Sequence, residues 1–371
     1  MNQLEEDIAE IGAKFAIGGE FVSGEEIESG HINTTYLAAY ADQDGEVSRY
    51  ILQRINEHVF TEPLKVMKNV ARVTKHINQK VLRTKRDFGG QTLSLYPGRD
   101  GKDCVEGAGG GIWRCYNFIE GCRTYDVVEN TRQAYQAAKA FGAFQDLVSD
   151  LPVGMVEVTI PGFHDTPARY RRLMEAIESD SHGRVKDVEE EIAFIREREP
   201  IVGTLLDLVE KGELEERVTH NDTKLNNVMI DEQTDEAVCV IDLDTVMPGL
   251  ALYDFGDMVR AATSPVAEDE KDVSKVEMRL PMFEALLEGY LETAQNFLTQ
   301  REIELLPFSA KLISLETGIR FLTDHLEGDQ YFKVHREGHN LDRCRTQLAL
   351  VKSIEDQEDN MVEFVRKWRA S

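Results

Sequence analysis

Between His220 and Asn227 the chain reads HNDTKLNN: a histidine, an aspartate two positions on, and an asparagine five positions beyond that aspartate. Twenty positions past Asp222, the run VCVIDLD brings Asp242 to the end of an apolar segment. Two carboxylates and an amide in this order suit phosphoryl transfer, which needs positioning and charge neutralisation more than covalent help. Asp222 is the residue type that orients an acceptor hydroxyl and takes its proton. Asn227 and Asp242 offer hard oxygen ligands of the kind Mg2+ takes when it travels on ATP. His220 reads as a loop-holding residue rather than a base. Either motif alone is matched by a capped turn or a solvated strand end. Their joint occurrence between strand-like runs points to chemistry, and it requires the two carboxylates to converge on one cleft.

Three further segments bear on a nucleotide. SGHINTTYL, from Ser29 to Leu37, sits at a turn between two strand-like runs. With Gly30 as its one glycine it makes a sparse phosphate cradle, but Asn33, Thr34 and Thr35 stand near its backbone donors. An ordinary hairpin is the competing account. In YILQRIN, Gln53 occupies the strand position where a kinase offers a lysine to the phosphates, and Asn69 occupies the helix position of that lysine's usual glutamate. The expectation is that Gln53 and Asn69 form a neutral pair in place of the ion pair. Asn117 to Gly121 could hold adenine through main-chain groups while Phe118 or Ile119 packs on its edge. The triplet Asp254-Phe255-Gly256 resembles a kinase metal motif, but it opens a helix-like stretch after Asp242 has already ended the expected strand. Asp254 is therefore read as a helix cap or a brace for the loop at Asp222.

The elements that must position these residues fall into two regions. From Phe21 to Phe118 the pattern is extended runs broken by turns such as ADQDG, with SRYILQRI (48–55), QTLSLYP and IWRCYNF (112–118) as strands. One helix interrupts them over 62–77, where Leu64, Met67, Val70, Val73 and Ile77 recur at helical spacing. Beyond Gly121 long helical patterns take over, as in Ala134, Ala137, Phe141, Phe144 and Val148. ERVTH and NVMIDEQTDEAVCVIDLD interrupt them as short strands, and helical periodicity returns from Leu280. FHDTPARY reads either as the rim of a substrate site or as a turn capped by Asp165 ahead of a helix starting at Pro167.

Composition narrows the partners. With 42 Lys and Arg against 68 Asp and Glu among 371 residues, the net charge of −26 repels nucleic acid and anionic membranes. The five cysteines lack paired metal spacing and read as idle thiols in a reducing compartment. The acidic start MNQLEEDIAEIGAKFAI does not fit a signal peptide, and no segment reaches the ~18 apolar residues of a membrane span, so the expected location is cytoplasmic.

Taken together, SGHINTTY, YILQRIN, WRCYNFIEG, FHDTP, THNDTKLNN, IDLDTVMPG, YDFGD, RFLTDHLEGDQYF and HNLDRCRTQ resemble the bacterial N-acetylhexosamine 1-kinases, in the same order over nearly the whole chain. The resemblance implies an α+β, protein-kinase-like bilobed fold of the aminoglycoside and choline kinase type. Its small N-terminal antiparallel sheet lobe (1–118) would bind nucleotide, and its larger, mostly helical lobe (119–371) would carry catalysis and substrate. It implies ATP and Mg2+, with transfer of the γ-phosphoryl to the anomeric hydroxyl of N-acetylglucosamine or N-acetylgalactosamine. It further implies that His31, Arg320 and Tyr331 contact the sugar beside Asp222. Two alternatives stay open: the same chemistry on an aminoglycoside, choline or another hydroxylated metabolite, and a nucleotide-binding scaffold without turnover, suggested by Gln53.

Overall fold

The computed structural model describes residues 2–27, 32–84, 92–125 and 127–370. It has an N-terminal antiparallel sheet and a helical C-terminal part, as expected. The chain divides into two compact units, one of residues 1–123, 150–160 and 229–247 and the other of 124–149, 161–228 and 248–371.

The first unit begins with helix α1 (Gln3–Gly12), which has no counterpart in the expected elements. Its start is a capping box, with Asn2 accepting from the Glu5 amide and Glu5 accepting from that of Asn2. Ile8 and Ile11 are its buried face. Strands β1 (Glu20–Ile27), β2 (Thr34–Ala41), β3 (Val47–Arg54), β4 (Leu95–Tyr96), β5 (Val105–Glu106) and β6 (Ile112–Asn117) form one antiparallel sheet in the order β1-β2-β3-β6-β4, with β5 also on β6. Phe15, Ala38, Leu52 and Cys115 are fully buried in its core. QTLSLYP thus supplies only two strand residues, and its Gln91 lies outside the described residues.

Helix α2 (Pro63–Thr84) runs two turns beyond the expected end at Ile77. The apolar stripe stops where the helix leaves the core, and Leu82 is largely exposed. The backbone continues because the following residues favour helix and Lys80 pairs with Asp150 at 2.7 Å. Short strands β7 (Cys122–Arg123), β9 (Val228–Asp231) and β10 (Ala237–Val240) make a second small sheet, in the order β10-β9-β7. Ile119, Val238 and Cys239 are buried together beneath it.

The second unit is built from helices α3 (Thr131–Val148), α4 (Thr166–Ser179), α5 (Glu189–Arg196), α6 (Thr204–Glu210), α7 (Ala251–Ala262), α8 (Leu280–Ala294), α9 (Gln300–Leu326) and α10 (His339–Ala370). Strand β8 (Arg217–Thr219) leads into the HNDTKLNN segment, and β11 (Met247–Gly249) precedes α7. The main pairings are α3 with α8, α9 with α10, and α7 and α4 with α9. Leu173, Ile195, Leu315, Ile319, Leu322 and Val351 bury one apolar cluster. All five cysteines are free. Among the described residues no helix is long and apolar enough to cross a membrane.

Candidate active site

In the second unit, the segment after β8 turns sharply at Asn221, whose φ of 65° is left-handed. Asparagine is one of the few residue types that tolerate this region, and such backbone concentrates at functional positions. The turn is fastened from below by Asp254 on α7. Its carboxylate accepts from the His220 amide at 2.9 Å, the Asn221 amide at 2.7 Å and the side-chain amide of Gln145. Burial raises the pKa of Asp254, as expected for a carboxyl with no access to water. Asp254 therefore braces the loop, while the N-cap of α7 is Leu250 and makes no side-chain bond. Asp257 adds a further hold, accepting from the Thr223 amide at 2.9 Å and from Arg260.

His220 is fully buried, its ring edge-on to Phe141 and Phe144. Its Nδ1 accepts from the Asp222 amide at 3.3 Å, so a ring proton belongs on Nε2 and the side chain shapes the loop. Gly249 completes the seat. A Cβ there would come within 2.5 Å of the Thr219 hydroxyl and 2.7 Å of the Asn221 amide oxygen.

Asp222 projects from this braced turn with both oxygens engaged. One accepts from the Lys224 ammonium at 2.9 Å and the other from the Asn227 Nδ2 at 3.0 Å. Burial pushes its pKa up, but the Lys224 ammonium, helped by the Asn227 hydrogen bond, outweighs that effect and holds it below the usual carboxylate value. The pair is reciprocal, since the Asp222 carboxylate raises the pKa of Lys224. Asn227 also donates Nδ2 to the Asp222 carbonyl at 2.8 Å, so its amide nitrogen is committed to Asp222 and Oδ1 is its acceptor atom.

Lys224 lies inside the motif, yet the sequence reading passed over it. An expected result follows. Because the fold favours ionised Asp222, that stabilisation is complete above the unfolded carboxyl's pKa and lost as pH falls through the lower folded value. Lys224→Met removes the main opposing charge, so the acid limb of a pH profile of kcat/KM moves to higher pH. An unmoved limb would show that Lys224 does not set the ionisation of Asp222.

The residues expected to contact substrate group around α9 and the loop after it. Arg320 lies over the rings of Phe163 and Phe332, each 5.4 Å away. Tyr331 is 58% exposed, and its ring meets Phe332 at 4.8 Å. Asp324 fixes this loop by accepting the amides of Gln330, Tyr331 and Phe332. Arg169, which the sequence reading did not single out, donates to the Phe163 carbonyl and has a buried Nε without a partner. Burial, followed by the neighbouring Arg320, lowers its pKa. In FHDTP, Asp165 caps α4 by accepting from Ala168 at 2.9 Å, while His164 and Thr166 both bond Glu316. His31, together with Ser29 and Gly30, lies outside the described residues.

In the first unit, Asp242 follows β10 with a left-handed φ of 58° and opens a 3-10 turn over Leu243–Thr245. Asn33 is buried and donates Nδ2 to Asp244 at 2.6 Å, while its Oδ1 accepts from the Asn56 amide at 3.0 Å. Thr34 begins β2 opposite Arg54. Phe118 lies under the Arg49 guanidinium at 4.3 Å, whereas Ile119 points into the small core with Val238 and Cys239.

The expected Gln53–Asn69 pair is not formed. Gln53 donates to the Thr35 hydroxyl at 2.9 Å and accepts twice from Arg114, its partner across β3 and β6. Asn69 instead bonds main chain at Glu157 and Val246. The reason is register: Thr35, Gln53 and Arg114 stand side by side on neighbouring strands, so the amide meets a guanidinium before it could reach a helix. Arg114 also pairs with Asp244, and although burial opposes its charge, Asp244 raises its pKa further. Arg114 and Asp244 carried no sequence signal, because a lone arginine on a strand reads as a surface residue.

Among the described residues, no group of three or more His, Cys, Asp or Glu side chains could hold a metal by itself. Asn227 in the second unit and Asp242 in the first each carry a side-chain oxygen of the hard type that Mg2+ takes.

A family model described as the phosphotransferase enzyme family matches residues 23–293. In fold, the chain is similar to an aminoglycoside phosphotransferase from Alicyclobacillus acidocaldarius, at 12% identity and a TM-score of 0.60 over 95% of this chain and 96% of that one. It is also similar to choline kinase from Cryptosporidium parvum, at 14% identity and a TM-score of 0.55 over 99% of each chain. Amicoumacin kinase hAmiN, in complex with AMP-PNP, Ca2+ and Ami, shares 15% identity with a TM-score of 0.55 over 95% of this chain and 93% of that one. These likenesses show the fold.

Proposed function

The chain belongs to the phosphotransferase enzyme family, and from that premise we propose that it transfers the γ-phosphoryl group of ATP to the anomeric 1-hydroxyl of N-acetylglucosamine or N-acetylgalactosamine. Asp222 accepts a hydrogen bond from the acceptor hydroxyl, aims its oxygen at phosphorus and receives the proton as the new bond forms. Lys224 keeps that carboxylate ionised and adds positive charge beside the transferring group. Asn227 and Asp242 would offer oxygen ligands to Mg2+, whose charge would offset that of the phosphate oxygens. In this reading Asn33, Thr34 and Gln53 serve the nucleotide's phosphates, and Phe118 and Ile119 belong to the adenine-binding segment.

The observation that carries the choice of acceptor is the arginine pair. Arg320 stands close enough to Arg169 to help lower its pKa, and the nearby carboxylates are already committed, Glu316 to His164 and Thr166 and Asp324 to main-chain amides. Two guanidiniums with an unused donor repel a cationic choline or aminoglycoside. They suit a neutral polyol with a carbonyl oxygen, flanked by Tyr331 and Phe163. Solved relatives of this fold include an aminopropanol kinase and a choline kinase, so amine acceptors are the competing reading.

The deciding experiment incubates the protein with ATP and Mg2+ against free hexosamines, N-acetylhexosamines, choline and an aminoglycoside, and identifies the product by 31P and 1H NMR. The expected product is an N-acetylhexosamine 1-phosphate. Phosphorylation of choline or the aminoglycoside alone would overturn the assignment, and nucleotide binding with no ATP consumption in any mixture would favour a scaffold.

A further inference from the structure

The side chain of Arg114 is among the largest fully buried ones in the protein, and its relative exposure is 0%. A guanidinium so placed cannot touch a nucleotide. Its donors are instead committed within the first unit. Nε and one terminal nitrogen give 3.0 and 2.8 Å bonds to the Gln53 oxygen, and both terminal nitrogens reach the Asp244 carboxylate. The network continues on both sides. Asp244 also accepts from Asn33, which in turn accepts from the Asn56 amide, while Asn56 donates to the Ile32 carbonyl at 3.1 Å. Gln53 passes the chain of bonds on to Thr35. One buried cation therefore joins the start of β2, the end of β3, β6 and the turn after β10.

Two of those places matter for a bound nucleotide. Asp244 lies two residues past Asp242 on the same 3-10 turn, and Asp242 holds a left-handed backbone that a free turn would relax. The far end of the turn is tied by Asn69, which donates to the Val246 carbonyl at 3.0 Å. Asn33 adjoins the loop between β1 and β2.

We infer that Arg114 is a positioning residue: through Asp244 and Gln53 it sets the turn that presents Asp242 and the shoulder at Asn33 in one register, so that both meet the metal-bound triphosphate together. This inference rests on the reading of Asp242 as a cation ligand. It also accounts for Gln53, since a lysine there would set a second buried cation against Arg114, whereas glutamine offers an acceptor. The positive charge that kinases place on the third strand is found on the neighbouring strand, and it acts through a carboxylate rather than on phosphate.

The experiment must separate positioning from folding, because removing one partner strands a buried charge. Replacing a buried ion pair by apolar side chains of similar volume commonly preserves stability. The variant is therefore Arg114→Met with Asp244→Leu, compared with wild type and Asp242→Asn. Melting temperature is measured first, then binding of Mn2+ with ATP by electron paramagnetic resonance, then the divalent-ion dependence of turnover. The expected result is a double variant that melts near the wild-type temperature but needs at least tenfold more Mn2+ for half-saturation, in the direction of Asp242→Asn. Arg114→Lys, which cannot make the forked contact, is expected to show the same weakening. A folded double variant with wild-type Mn2+ affinity would overturn the inference. If the double variant does not fold, the Lys variant decides by the same binding measurement. Should wild type bind Mn2+ with ATP yet phosphorylate no sugar, the acceptor assignment fails while the binding constants still judge Arg114. If Asp242→Asn binds Mn2+ as wild type does, the ligand reading and this inference fall together.

Discussion

Replacing Asp222 by asparagine is expected to lower kcat by about 10²–10⁴-fold, the usual contribution of a positioned proton acceptor, with little change in the KM for ATP. The substitution keeps the shape and one acceptor oxygen, but it removes the charge that Lys224 faces and the site to which the hydroxyl proton moves. A thousandfold loss corresponds to about 4 kcal/mol of transition-state stabilisation. The bracing bonds of the loop end on Asp254 and Asp257, so the variant should melt near the wild-type temperature. Steady-state kinetics with the best acceptor checks the first part and calorimetry the second. Turnover at the wild-type level would remove Asp222 from the mechanism.

Asp254→Ala should act in the opposite way, through the fold. Its carboxylate is fully buried and receives two main-chain amides and the side chain of Gln145. Alanine leaves those donors in a dry environment, where each orphaned group costs about 1–3 kcal/mol. Partial relaxation limits the total to roughly 3–4 kcal/mol, a large share of the 5–15 kcal/mol typical of a folded domain. The predicted signature is a marked fall in melting temperature together with lost turnover, because Asn221 no longer has a reason to hold its left-handed turn. Urea unfolding of wild type and variant measures this. A variant of unchanged stability would show that the loop is held chiefly by its aromatic packing at His220.

The contrast between these two aspartates explains which parts of the site could be read from the chain. HNDTKLNN stands out because residue types suited to orienting a hydroxyl and ligating a cation, the roles we propose for them, follow one another at short fixed offsets. Asp254 could be separated from the metal motif it imitates because a helical pattern follows it at once, and the structure places it on α7 beneath the loop. Arg169 was missed, since an arginine on a helix such as α4 gives no sign that its Nε will be buried.

Local order was therefore the part the sequence determined by itself: extended runs, helical stripes, and the acid and amide residues of the two short motifs. These depend on neighbours within a few positions, where period and capping act directly. Tertiary structure alone decided the partners across distance. The expected Gln53–Asn69 pair gave way to Gln53–Arg114 because strand register brings side chains together that are 61 residues apart, and Arg114 reached Asp244 across 130 residues. A buried charge must find its counter-charge wherever the fold offers one. No spacing rule in a linear chain encodes that choice, because it arises only when the strands have paired and the turn after β10 has closed against them.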